Sequence, residues 1–315
     1  MTSRSIEKGV SATNTGKILR LIGTVDMNGK GTEHPLAEVD PFILLDTATV
    51  NKNGMPPFGA HPHRGHSVVT VVTKGKISSW DSFKPSKDYL EIMTAPASYW
   101  VDAGSGVFHD ELSVMEDEND PAQHMTVYQL WVGVKESDRQ SAPRTQHDSN
   151  LPHFECKDPE GRVVGKGIYH VGPETSIITP HPVLVAHIRQ DPNTIHHLPI
   201  DPSHNGLIVH RSGHASFGGT VPSAEEDVMV LSPAGTGAFL VIKTNDQAAE
   251  YLVCTGEPHG EKWVKYLVAN GAIITATPEE AQELAPKVEA MAKAGKSPGG
   301  SFAPFGMDVN SDKAS

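Results

Sequence analysis

Short apolar runs broken by Gly, Pro and Asn fill most of the chain, and helical periodicity is confined to one place near the C-terminus. The stretch Ser67 to Thr73 is β-branched almost throughout and predicts the clearest strand in the chain. Lys74-Gly75-Lys76 then marks a turn, and Ile77 to Asp81 reads as the returning strand. Pro41 to Asp46, Tyr99 to Val101 and Val127 to Val132 are further strands of the same kind. A second set follows: Val183 to Ile188, Gly206 to His210, Asp227 to Leu231 and Ala238 to Ile242. Ser212-Gly213 and Gly235-Thr236-Gly237 supply hairpin turns between them. Strands and turns at this density predict an all-β sandwich or barrel.

The one helix, expected over 278–294, opens with Thr277 as a capping side chain, Pro278 in the first helical position and Glu280 three residues after the cap. Ala281, Leu284, Val288 and Met291 fall on one face, and Gly295 is the expected stop. The Gly, Ser and Pro-rich tail beyond is expected to be disordered. Residues 1–20 look polar and loosely ordered, and 135–165, rich in charge, Pro, Asp and Gln, read as an inter-domain connection. A length of 315 residues, with 29 Gly and 24 Pro, suits two β-rich domains, placed at 1–145 and 146–315.

A net charge of −12 argues against direct contact with nucleic acid, where phosphates must be neutralised by Lys and Arg, and against an anionic membrane surface. Met1 to Arg20 holds no apolar run like a signal-peptide core, and nowhere are there about 18 consecutive apolar residues. The expectation is an intracellular protein, cytoplasmic or nuclear, and monomeric. Cys156 and Cys254 lack CxxC spacing and are read as two reduced, unconnected thiols.

The 17 histidines are the compositional anomaly. His61-Pro62-His63 puts two imidazoles on one face of an extended segment. His109-Asp110-Glu111 repeats the arrangement with one imidazole and one carboxylate. Two neighbouring strands could thus converge four ligands on one divalent ion. Three nitrogens and one oxygen, without thiolate, suit Fe(II), Cu(II), Ni(II), Mn(II) or Zn(II). On a six-coordinate ion two positions stay open for substrate and dioxygen, whereas Zn(II) would close a tetrahedron and make the site structural.

The run His61-Pro62-His63-Arg64-Gly65, the β-branched strand and Lys-Gly turn after it, Asp102 to Glu111 with its Ala-Gly-Ser-Gly start, and Gln129-Leu130-Trp131 together resemble the pirin family of bicupins. The likeness is strongest over 40–135 and extends more weakly to Gly256-Glu257-Pro258 and to 272–282. It implies two stacked cupin barrels and a metal, usually iron, in the N-terminal barrel only. Its three histidine ligands fall on His61, His63 and His109, and its glutamate ligand on Glu111. Two departures stand beside the site. The family's Phe-Glu-Thr after HPHRG is His66-Ser67-Val68 here, and its Ala-Gly-Arg-Gly is Ala103-Gly104-Ser105-Gly106. Both alter the surroundings that orient ligands and tune a metal.

Some relatives of this kind cleave quercetin, so the resemblance implies an Fe(II) dioxygenase for a small aromatic, flavonol-like substrate, with Glu111 as base. The alternative is a non-enzymatic, metal- or redox-dependent partner of a regulatory protein. A structural Zn site is the third reading. Strand parity turns His66 away from His61 and His63, towards packing or the surface. Arg64 is expected to pair with a carboxylate, and Trp80, Trp100 and Trp131 to serve as core or pocket wall. Glu116 to Asp120 reads as a solvated loop. His181, His187, His196, His197, His204, His210 and His214 form no HxH pair and are expected to leave the second barrel without metal.

Overall fold

A computed structural model of the protein describes residues 2–14, 18–23, 36–55, 60–82, 90–269 and 271–293. Among them four β-sheets form two barrels. One face of the first barrel is a seven-stranded sheet ordered Arg144–Asp148, Ala97–Asp102, His66–Lys74, Met125–Gly133, Phe42–Val50, Leu19–Ile22 and Thr13–Asn14. Its other face runs Val264–Val268, Gly271–Thr275, His61–Arg64, Val107–Ser113, Lys76–Asp81 and Glu91–Thr94. The second barrel pairs a seven-stranded sheet, from His153–Lys157 at one edge to Ile6–Val10 at the other, with a smaller sheet around Phe239–Thr244.

Alternation along the strands assigns the cores. Ile43, Val68, Val72, Tyr99, Val107 and Trp131 fill the first barrel, and Ile188, Ile208, Phe217, Tyr251 and Val253 the second. The opposite faces of the two large sheets pack on each other. There Phe42, Trp100, Tyr128 and Leu130 meet Val185, Leu207, Val209 and Leu252 in one inter-barrel cluster. Sheets buried on both faces explain why Ser67 to Thr73 is apolar without clean alternation. The Tyr128 hydroxyl donates to Glu226 and accepts from Arg211 of the second barrel, at 2.7 Å each, so the seam is polar at that point as well as apolar.

The sheets do not divide at residue 145. Ser3–Arg4 and Ile6–Val10 pair with strands of the second barrel, while Gly271–Thr275 returns to the first and lies parallel to His61–Arg64. Each end of the chain therefore completes the barrel that its sequence position would not assign to it. Among the described residues of the first 20, Ser3–Arg4, Ile6–Val10, Thr13–Asn14 and the start of Leu19–Ile22 are strands rather than a loose tail. The proposed connection over 135–165 is likewise occupied by Arg144–Asp148, His153–Lys157 and the start of Val163–Val171. The physical reason is shared: Ile6–Val10, Arg144–Asp148 and His153–Lys157 are edge strands, where polar and charged side chains face water.

The helix Pro278–Lys293 lies where expected. Thr277 Oγ1 accepts from Glu280 N at 3.2 Å, Ala281 is buried, and Ala285 and Val288 pack with Phe108, Val268 and Ile273. Gly295 and the tail lie outside the described residues. No helix among the described residues is long and apolar enough to cross a membrane. Cys156 and Cys254 are buried free thiols.

Candidate metal centre

The strand His61–Arg64 pairs antiparallel with Val107–Ser113, with His109 opposite His61 and Val107 opposite His63. Even spacing sends His61, His63, His109 and Glu111 towards the barrel interior, and all four are buried. The candidate ligand atoms of the three imidazoles lie within 4.8 Å of one another. His61 Nε2 and His109 Nε2 are 3.1 Å apart. That is about the separation of two donors held at right angles on one ion with bonds of about 2.1 Å. His63 Nε2 is buried with no hydrogen-bond partner, as are His109 Nδ1 and Glu111 Oε1. Buried polar atoms without partners are rare, and three buried imidazoles gathered this closely offer the nitrogen donors a metal requires. The three-imidazole group therefore fits a metal ion.

Glu111 stands apart from the three-histidine group, which gathers imidazoles alone. Its Oε2 accepts from Gln129 Nε2 at 2.7 Å, across the barrel from the facing sheet. Burial raises its carboxyl to a pKa of about 7, with Thr70 and Gln129 pulling the other way and Asp110 adding to the rise. Burial, with the neighbouring imidazoles, holds His63 and His109 well below the ordinary imidazole range. The neutral rings that result are the form in which histidine binds a metal.

His66 departs from its expected direction. It is fully buried and faces the cluster: its Nε2 lies 3.0 Å from His63 Nδ1, and its Nδ1 lies 3.0 Å from Arg64 O. The cause is Gly65. Its φ of +75° bends the chain as it leaves the six-stranded sheet for the seven-stranded one, so the parity of His61–Arg64 does not continue into His66–Lys74. Burial lowers the pKa of His66 to about 4, against the carbonyl of Arg64 and with His61 adding to the fall. Trp131 stands beside both rings, at 5.2 Å from His63 and 5.0 Å from His66.

The remaining expectations sort plainly. Arg64 donates to Ser105 O and, at 2.7 Å, to Gln140 Oε1, tying the His61–Arg64 strand to the loop before His109, and the charge of Glu280 acts on it as well. Trp100 is inter-barrel core, whereas Trp131 is wall of the site. Asp120 caps a short turn, Pro121–Gln123, so the acidic run is partly an ordered corner. In the second barrel His196 meets the Tyr251 hydroxyl and His204 meets Thr255 Oγ1, both at 3.2 Å. Gln129 and Tyr99 were not singled out for the site from sequence. Yet Tyr99 carries a buried hydroxyl without a partner, and its ring stacks on His147 at 4.5 Å. Parity with Trp131 on one strand was the available signal for Gln129.

Two tandem barrels, the first with inward-facing histidines on paired strands, define a bicupin. Its solved fold relatives include a quercetin 2,3-dioxygenase from Acinetobacter baumannii, with a TM-score of 0.70 at 19% identity over 92% of this chain and 98% of that one. They also include a bacterial pirin from Escherichia coli in complex with nickel(II), with a TM-score of 0.56 at 16% identity over 81% of this chain and 98% of that one. Residues 24–132, the stretch that holds these histidines, match the Pirin family model. Pirin-like protein 2 of Arabidopsis thaliana is 27% identical over 72% of this chain and 68% of its own length.

Proposed function

We propose that the first barrel holds one divalent metal, Fe(II) in the first instance, through His61, His63, His109 and Glu111, and that the protein is a dioxygenase for a small aromatic, flavonol-like substrate. The observation that carries this is the convergence of three buried imidazoles, with a buried carboxylate on the same strand face as His109. When bound with open positions, such a metal supplies a Lewis acid for adjacent hydroxyl and carbonyl oxygens and a site for dioxygen chemistry. The quercetin dioxygenase among the fold relatives supports the substrate class.

The chain's own part is proton handling and enclosure. Glu111 Oε1 has no protein partner, and the ionised carboxylate can take a hydroxyl proton from substrate. Gln129 holds the other oxygen and so fixes the direction in which Oε1 points. Trp131 and Tyr99 line the interior and limit water.

Oxygen uptake with quercetin by iron-loaded protein tests the reading, beside parallel loads of nickel, manganese and copper. Metal-dependent uptake is expected, with a fall of about 100-fold or more in Glu111→Gln. No uptake with any of the four metals overturns it. A second reading, a metal-dependent regulatory partner, draws on His66 and Ser105 standing where the family shows other residues. It is tested by metal-dependent co-purification of a protein partner that His61→Ala abolishes.

A further inference from the structure

We propose that His66 is a positioning residue that fixes the tautomer of His63 and so presents the Nε2 lone pair of His63 to the metal. This rests on the metal-site reading above. It concerns a residue at which this chain departs from the family pattern.

Hydrogen-bond direction carries the inference. Arg64 O is a carbonyl oxygen and can only accept, so His66 Nδ1 at 3.0 Å carries the proton. A neutral His66 ring then has a lone pair at Nε2. His63 Nδ1 lies 3.0 Å from that lone pair. If the His63 proton sat on Nε2, two lone pairs would face each other across this gap in a buried site. The bond forms only if His63 Nδ1 donates, and His63 Nε2 is then left as a lone pair. That atom is buried and has no protein partner. Its ring centroid lies 4.6 Å from that of His61 and 4.8 Å from that of His109. The relay thus runs from the backbone carbonyl of Arg64 through two imidazoles to the candidate coordination point. A metal-ligating histidine ordinarily gives its other N–H to a carboxylate, carbonyl or water, and here an imidazole takes that place. Gly65 makes it possible, because its left-handed bend turns His66 back towards the residue two places before that glycine.

Two measurements test this. In histidine-labelled wild-type protein, the 15N spectrum is expected to show His63 with a pyrrole-type Nδ1 and a pyridine-type Nε2. A pyrrole-type Nε2 on His63 in metal-free protein overturns the proposal. Metal affinity, by chelator competition, is expected to fall about 10- to 100-fold in His66→Phe, which keeps a ring but no acceptor. His66→Gln can accept from His63 Nδ1 through Oε1 and is expected to recover most of the loss. Unchanged affinity in His66→Phe overturns the proposal. If wild-type protein binds no divalent metal, the metal-site reading falls on its own, and the 15N spectrum still decides the tautomer. The spectrum also decides the matter should His66→Phe fail to fold.

Discussion

Gln129 Nε2 donates to Glu111 Oε2 at 2.7 Å and so bridges the two sheets of the first barrel, from the strand Met125–Gly133 to the strand Val107–Ser113. The amide leaves Glu111 one free oxygen and a fixed orientation. Gln129→Met keeps the volume and removes the donor. Metal affinity is expected to drop about 10-fold or more, because an unheld ligand must be ordered by the ion itself. Folding stability is expected to fall by about 1–3 kcal/mol, the cost of a buried acceptor left without its donor. Chelator competition and denaturant titration check the two parts separately.

Gly65 is expected to tolerate no side chain. Its φ is +75°, and a Cβ there would run into the carbonyl of Ile274 on the returning C-terminal strand. Gly65→Ala incurs about 1–2 kcal/mol for the left-handed conformation alone, and the clash with a backbone oxygen adds to it. A lower denaturation midpoint and weaker metal binding are expected together, since the same bend aims His66 and anchors the strand beside His61–Arg64. A variant of unchanged stability would show that the sheets can shift apart at this corner.

The two His-containing pairs were legible because each lies within a single strand, where alternation alone sets direction. Most central strands were legible for a related reason: Ser67 to Thr73 and Val127 to Val132 are apolar enough to be told from loops. His66 was not, because the chain changes sheet between it and His63. Ile6–Val10, Arg144–Asp148 and His153–Lys157 were not, because an edge strand carries the polarity of a loop. The exchange of terminal strands between barrels is a pairing across most of the chain length, with Ser3 beside Phe239 and Ala272 beside His63. No local pattern encodes it.

Arg20 shows how much structure the polar-looking N-terminal segment holds. Its Nε and Nη2 reach Asp46 Oδ1 and Oδ2 at 2.5 and 3.0 Å, a bidentate pair with both side chains buried. Desolvation raises the Asp46 carboxyl, with the pairing to Arg20 working against that rise. Removing one partner of such a pair leaves a buried group uncompensated, a loss of about 3–5 kcal/mol. Arg20→Met is expected to destabilise by an amount of that order. Arg20→Met combined with Asp46→Leu is expected to recover much of it, because replacing both partners with apolar groups leaves no orphaned charge. Equal losses in the single and double variants would assign the effect to packing around Arg20 instead of charge.

His170 ties the stability of the seam to pH. It is fully buried on Val163–Val171 in the second barrel, and its Nδ1 lies 2.9 Å from Ser98 Oγ on the first. Desolvation, with the charge of His187 and Arg211 adding to it and the backbone at Ala97 opposing, lowers its pKa to about 3. In the unfolded chain the same ring titrates near about 6.5. Between these values the unfolded state holds a proton that the folded state refuses. Folding stability therefore falls as pH drops below about 6.5, and this contribution is exhausted below the folded pKa of about 3. Above about 6.5 the ring is neutral in both states and adds no pH dependence. His63, His66, His109 and His196 have lowered pKa values and act in the same direction. His170→Gln keeps a polar partner for Ser98 and removes only the His170 share. Denaturant midpoints measured from about pH 7 down to about pH 4.5 are expected to fall less steeply in the variant than in the wild type. Identical slopes would mean that His170 takes up its proton as readily in the folded barrel as in the unfolded chain.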